Sequence, residues 1–255
     1  MAEFKDLFSQ GAAEYAEFRP RYPGALFDWL ASETARHDLA WDCATGNGQA
    51  ARGLAAHYAR VIATDASERQ LAHAAPHPRI EYRVAPAHES ALPAGSVDVI
   101  TVAQALHWLP LQLFFGEATR VLARGGLIAV WGYSLPSVSN VALDEALRRY
   151  HDEIVGPYWP PERRMVDTHY ATVPFPFAEI PVPPFALEQR MTRLAVEGYL
   201  RTWSASRAYR DARGDDPVSQ VAPAFAAEWP DPREVRPVRW PLFVRAGRPE
   251  GRSVL

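Results

Sequence analysis

The chain has 255 residues, 48% of them hydrophobic, and a formal charge of −3. That is enough for one large α/β domain and excludes global disorder, and the charge gives no electrostatic reason to expect nucleic acid or an anionic membrane as a partner. Lys5 is the only lysine and Cys43 the only cysteine. Lysine Schiff-base chemistry, a phosphate-loop lysine, an intrachain disulfide and a multi-cysteine metal site therefore fall away.

The N-terminus, Met1-Ala-Glu-Phe-Lys-Asp6, lacks the apolar core of a signal peptide. The most apolar stretch, 97–115, is interrupted by Asp98, Gln104, His107 and Pro110, so no membrane span is expected. A soluble, cytoplasmic protein is the expectation. Residues 3–35 read as helices broken at Arg19-Pro-Arg-Tyr-Pro23, where the prolines enforce an extended step before a helix over 25–35. From Leu39, strands and helices alternate. Strands are predicted over 39–43, 60–65, 80–85, 97–103 and 126–132, and helices over 48–58, 67–74 and 111–122. Gly125-Gly126 is read as the stop of the last of these helices. Strands joined by helical crossovers imply a parallel sheet covered on both faces.

After Tyr133 the character changes. An amphipathic helix over 141–154 precedes a segment rich in proline and aromatic residues, 156–184, which carries Tyr158, Trp159, Tyr170, Phe175 and Phe177. It is too aromatic for a free linker and is expected to cover the ligand edge of the sheet. Then come a strand at 185–191, a helix around 195–206, an acidic turn from Asp211 to Pro217, a helix around 218–228 and a strand near 237–245. One domain over 1–255 is expected, with an entrance segment at 1–38, a ligand-binding core at 39–133 and a cover with the last strands at 134–255. The C-terminal arginines Arg233, Arg236, Arg239, Arg245, Arg248 and Arg252 are separated by prolines and apolar residues, which suits a solvated strand face better than a phosphate patch.

The richest signal is Leu39-Ala-Trp-Asp-Cys-Ala-Thr-Gly-Asn-Gly48 with Val61-Ile-Ala-Thr-Asp65: strand, glycine turn, helix, second strand ending in an acid. Asp65 stands 17 residues past Gly48, near the offset at which an acid takes the ribose hydroxyls of a nucleoside. The run from Gly46 to Ala51 also fits the looser dinucleotide fingerprint, so an NAD-dependent oxidoreductase is one reading. Asp42, just before the turn, argues against a pyrophosphate; it can instead hold the turn or receive a cationic ligand through water. S-adenosylmethionine suits such a site, having an adenosine, no phosphates, and an ammonium and sulfonium that tolerate nearby acid.

In these residues the chain resembles the class I S-adenosylmethionine-dependent methyltransferases of the type 11 group, which includes trans-aconitate methyltransferase-like proteins. The resemblance rests on Asp42 to Gly48, Asp65, Leu92-Pro-Ala-Gly-Ser-Val-Asp98, Gln104-Ala-Leu-His-Trp108 and Arg120-Val-Leu-Ala-Arg-Gly-Gly126, and more loosely on Tyr15…Arg19-Pro-Arg-Tyr-Pro23. It implies a Rossmann-like doubly wound seven-stranded sheet, mostly parallel, with N-terminal helices and an elaborated C-terminal half. It also implies that Asp42, Ala44, Gly46 and Gly48 surround the methionine portion and ribose, and that Asp65 binds the ribose diol. Ala66 would flank the adenine with Gln70 nearby, Ala87 and His88 would meet the adenine edge, and Gln104 would lie near the methionine or the transferring methyl. Ala44 stands where the group commonly has glycine, so the turn there must suit a residue with a Cβ; Pro86 stands where many relatives have an acid for adenine.

His107 and Tyr15 are the candidate catalytic side chains. His107, after the fourth strand, is the candidate base or else fixes its loop by hydrogen bonds. Tyr15 and Arg19 are candidates to close over the methionine end, with Arg19 pairing its carboxylate. Trp108 is a pocket wall or core, and Tyr158, Trp159, Tyr170, Trp203 and Tyr209 line an acceptor pocket or simply pack. Arg163, Arg164, Arg201 and Arg207 are anchors for an anionic acceptor or surface charges. His57, His73, His77, His151 and His169 lack metal-ligand spacing, so no metal is expected. The expected activity is methyl transfer to a small organic acceptor, a carboxylic acid among the candidates; a noncatalytic S-adenosyl-binding protein of the same fold is the alternative.

Overall fold

The computed structural model describes residues 20–249. Its centre is a parallel sheet of β1 (Leu39–Cys43), β2 (Arg60–Asp65), β3 (Ile80–Val84), β4 (Val97–Ala103) and β5 (Leu122–Tyr133), in the order β3-β2-β1-β4-β5. Of the later strands, β6 (Ala178–Glu179), β7 (Phe185–Thr192) and β8 (Val235–Arg248), β8 runs antiparallel to β5 and is itself flanked by β7 and β6. The seven expected strands are all present, and the two-residue β6 is added to the edge. Strand order reverses between β1 and β4, which opens a crevice at their carboxyl ends.

Alternation along β1 explains why the sheet is buried on both faces. Ala40 faces α1 (Gly24–Ser32) and α2 (Gln49–Leu54), packing with Leu26, Phe27, Leu30 and Leu54. Trp41 and Cys43 face α4 (Leu111–Val121), packing with Phe114, Ile62 and Ile100. Each large apolar side chain buried here contributes about 1.5–3 kcal/mol. Pro23 starts α1 from an extended φ of −68°, as the proline step predicts. Between α2 and β3 lies the short α3 (Glu68–Leu71). Regular helix covers less of 48–58 and 67–74 than expected, the remainder being turns.

Three local readings change. Gly125-Gly126 is not a helix stop: α4 ends at Val121 and Leu122 pairs at once with Val97, so Gly125, at φ +77°, absorbs the register shift before Leu127 pairs with Val99. The helix expected over 195–206 is two, α7 (Arg193–Arg201) and α8 (Ser204–Arg213), following α5 (Val141–Arg149) and α6 (Arg163–Asp167). The break falls at Trp203, whose extended backbone lets its indole pack on Tyr150, Trp159 and Tyr199. The acidic turn therefore begins later than Asp211, because α8 buries Ala205, Ser206 and Tyr209 and ends only at Gly214, φ +82°.

With α9 (Ala222–Glu228), these helices build a second apolar cluster on β7 and β8 around Leu147, Tyr150, Leu200, Trp229 and Trp240. Of the segment 156–184, Tyr158 and Trp159 pack on this cluster, whereas Val166, Tyr170, Val173 and Phe177 are buried against β4 and α4. The C-terminal arginines are tied individually: Arg236 to Glu234, Arg239 to Glu188, Arg245 to Glu179 and Arg248 to Glu33. No helix among the described residues is long and apolar enough to cross a membrane.

Candidate functional site

The turn after β1 carries three left-handed residues, Ala44 (φ +54°), Gly46 (φ +58°) and Gly48 (φ +82°). Gly48 is doubly required, since a Cβ there would strike the hydroxyl and ring of Tyr82. Ala44 corrects the expectation of a turn suited to a Cβ: the left-handed conformation is kept despite the alanine. That strain costs of order 1–2 kcal/mol, and the flanking hydrogen bonds outweigh it. One of these bonds runs from the Thr45 amide to the Thr64 carbonyl at 2.9 Å.

Two carboxylates hold the turn from below. Asp42 is fully buried; Thr101 Oγ1 donates to one oxygen at 2.7 Å and Thr45 Oγ1 to the other. Gly48 offers no side-chain cap to α2, and Asp42 compensates by facing the Ala51 amide in the first turn of that helix. Burial raises the Asp42 pKa to about 6, against the hydroxyl and amide donors that favour the anion. Asp65, at the end of β2, accepts the Gly46 amide at 2.8 Å and the Ser67 amide at 2.9 Å. A carboxylate oxygen accepts more than one bond, so these anchors leave Asp65 able to take a diol as well. Gln70 is alongside, its Oε1 3.9 Å from where a Gly46 Cβ would stand.

Gln104 follows β4 in a left-handed conformation, φ +55°, with its amide fixed on the Trp131 carbonyl at 2.8 Å. Its Oε1 is buried without a hydrogen-bond partner among the described residues. A Cβ on Gly132 would come within 2.7 Å of that oxygen, so this glycine near the carboxyl end of β5 makes the room that Gln104 occupies. A strained residue presenting an orphaned acceptor at the carboxyl end of a central strand is suited to receive a ligand's N–H donor.

Beyond β2, the Ala85 amide donates to the Asp65 carbonyl at 3.0 Å, which brings the loop of Ala87 and His88 next to that strand. Ala87 is buried, Ala66 is exposed, and His88 Nδ1 is buried without a hydrogen-bond partner among the described residues. His107 is not at the glycine turn. It lies in a short 3₁₀ turn, Leu106–Trp108, packed on α6, with Nδ1 3.0 Å from the Tyr170 hydroxyl. Burial lowers its pKa to about 3, assisted by the positive charge of Arg163. Arg163 lies over the Trp159 ring at 4.5 Å, donates to Asp167 at 2.8 Å and borders an open cavity of about 470 Å³ with His151, Trp159 and Arg164. Trp203 and Tyr209 belong to the core of the C-terminal helices, and Arg201 is paired with Asp216. Tyr15 and Arg19 lie outside the described residues; the adjoining Pro20 carbonyl accepts from Gln49 Nε2 at 3.1 Å, and Tyr22 meets Trp131 edge-on.

Residues 41–130 match the type 11 methyltransferase domain family. A Dictyostelium discoideum protein named as a methyltransferase is 32% identical over 222 residues, covering 86% of this chain and 84% of that one. A solved structure from Anaeromyxobacter dehalogenans, described as a type II methyltransferase, superposes with TM-score 0.86 at 44% identity, covering 91% of this chain and 99% of that one. The chain belongs to the type 11 methyltransferase family. It is an S-adenosylmethionine-dependent methyltransferase, and the dinucleotide alternative is set aside. These relatives do not single out the trans-aconitate-like subgroup. In fold alone the methyltransferase also resembles Haemonchus contortus phosphoethanolamine N-methyltransferase 2, solved with S-adenosylhomocysteine (TM-score 0.50, 14% identity, covering 98% of this chain and 61% of that one).

The methyltransferase's residues fit S-adenosylmethionine. The glycine turn admits close approach, Asp65 is held in place by amides, and the orphaned Gln104 oxygen is an acceptor awaiting a donor. Sequence reasoning missed Gly132, Tyr82, Thr45 and Thr101. A glycine inside a strand was the available signal for Gly132; nothing local marks two threonines as partners of Asp42.

Proposed function

We propose that this methyltransferase methylates a small carboxylic acid, bound between the Gln104 end of β4 and α6. The observation that carries this reading is the electrostatics at His107. Its pKa of about 3, lowered by burial and by an Arg163 charge that is itself paired with Asp167, makes it a poor proton acceptor at neutral pH. An alcohol, phenol or ammonium acceptor must lose a proton, whereas a carboxylate is nucleophilic already. Placement and desolvation then supply the acceleration.

In this reading Asp65 holds the ribose hydroxyls, Gly46 and Gly48 let the backbone close on the ligand, and Gln70, Ala66, Ala87 and His88 surround the adenine. Ala44 and Asp42 underlie the methionine portion, Gln104 accepts from its ammonium, and Arg19 with Tyr15 closes that end from the entrance segment. When bound, S-adenosylmethionine supplies a methyl group on a cationic sulfur, and transfer forms an oxygen–carbon bond as the carbon–sulfur bond breaks and leaves its electron pair on sulfur. The chain acts as one cytoplasmic domain with a small-molecule acceptor as its partner. The test is a screen of small carboxylic acids, phenols and amines against methyl-labelled S-adenosylmethionine. Base-labile methyl esters are expected; label on nitrogen or a phenol oxygen rejects the carboxylate reading. Tight binding with no transfer to any acceptor favours the noncatalytic alternative.

A further inference from the structure

Tyr170 is fully buried, and it is reached through an unusual corner of the chain. His169 (φ +54°) and Tyr170 (φ +57°) are successive left-handed residues, a conformation L side chains rarely adopt. The corner is pinned on every side. The Tyr170 amide donates to the Met165 carbonyl at 2.7 Å, and the His169 amide to Val166 at 2.8 Å. Arg245 Nη1 donates to the Tyr170 carbonyl at 2.7 Å, and His169 stacks on Phe243 at 4.7 Å. This strained, over-determined corner aims the Tyr170 ring at His107.

A phenol has one proton to donate. Among the described residues, the hydrogen bond of the Tyr170 hydroxyl is with His107 Nδ1 at 3.0 Å. If Nδ1 carried the imidazole proton, it would donate to the phenol oxygen and leave the phenol O–H buried without an acceptor. The reverse arrangement satisfies both groups: the phenol O–H donates to the bare Nδ1.

We propose that Tyr170 locks His107 as the Nε2–H tautomer, so that His107 meets the methyl acceptor as a hydrogen-bond donor rather than as a base. His107 Nε2 makes no hydrogen bond to a described residue, which leaves its N–H free for a ligand. Tyr170 is a positioning residue that acts through the imidazole. The donor's target, an oxygen of the acceptor, rests on the methyl-transfer reading above; the tautomer does not.

Nitrogen-15 NMR of the full chain with labelled histidine tests the lock directly. The expected signature at neutral pH is a proton on Nε2 and none on Nδ1, and Tyr170→Phe, which keeps the ring, should convert it to an average of both tautomers. A proton on Nδ1 in the wild type, or an unchanged signature in Tyr170→Phe, overturns the proposal. The donor role is read from two variants on whichever acid is methylated. His107→Gln keeps an N–H near the Nε2 position but has no basicity, and should hold kcat/KM within about tenfold of wild type. His107→Ala should lose tenfold or more, the scale of one hydrogen bond to a charged group. Equal losses in both variants reject the donor. If no acid is methylated at all, the acceptor reading fails and the tautomer measurement still decides the lock.

Discussion

Replacing Asp42 by asparagine should stabilise the protein at neutral pH while weakening its grip on a cationic ligand. The carboxyl pKa is raised from 3.8 to about 6 because burial outweighs the Thr101, Thr45 and Ala51 donors. The folded state thus keeps a proton that the unfolded chain has already released between those two values. Folding stability falls as pH rises through that window and stays lower above it. A gap of about two pH units corresponds to roughly 3 kcal/mol by neutral pH. Asparagine has nearly the same shape, keeps one carbonyl acceptor, and needs only a turned threonine hydroxyl to satisfy its NH₂. Urea unfolding of both proteins, followed by tryptophan fluorescence, should show near-equal stability at pH 4. The variant should be ahead by about 1–3 kcal/mol at pH 8. The reasoning fails if the difference between the two proteins is the same at both pH values, or if the wild type leads at pH 8. The same variant should bind S-adenosylmethionine less tightly relative to S-adenosylhomocysteine, because only the former carries the sulfonium charge that Asp42 would attract in the proposed site.

Asp65→Ala removes the acceptor of the Gly46 and Ser67 amides and, in the proposed site, of the ribose diol, and calorimetry should show S-adenosyl affinity falling by about 100-fold or more; unchanged affinity removes Asp65 from the site. Ala44→Gly relieves left-handed strain of about 1–2 kcal/mol against an unfolded-state entropy cost of about 0.4–1 kcal/mol, so it should raise Tm by a few degrees; a lower Tm contradicts the assigned conformation. Glu117 accepts from Arg120 and Ser90, which lower its pKa from 4.5 to about 2. Its contribution is therefore present above pH 4.5 and lost as pH falls toward 2. Arg120 is nearly half exposed, so Glu117→Gln should cost only about 1–2 kcal/mol at neutral pH in urea melts, a gap that closes on acidification.

The sequence by itself determined the alternating strands and helices, the glycine turn at Gly46 and Gly48, the acid at Asp65, and through them the family and the methyl donor. These are local signals: the alternating side-chain direction in β1 and φ > 0 at glycines follow from backbone sterics acting within a few residues. Tertiary structure decided the rest. Ala44 stays left-handed only because Asp42 on β1 and Thr64 and Asp65 on β2 grip the turn. Gly125 became a bulge, not a cap, because β4 was there to pair with Leu122. Gln104 acquired an orphaned oxygen because Gly132, on the neighbouring strand, left it room. His107 looked like a base by its place after β4, until burial against Tyr170 and the charge of Arg163 made it a neutral imidazole. Those properties depend on neighbours distant in sequence, and a proton's position on a ring is set by the partner across the contact.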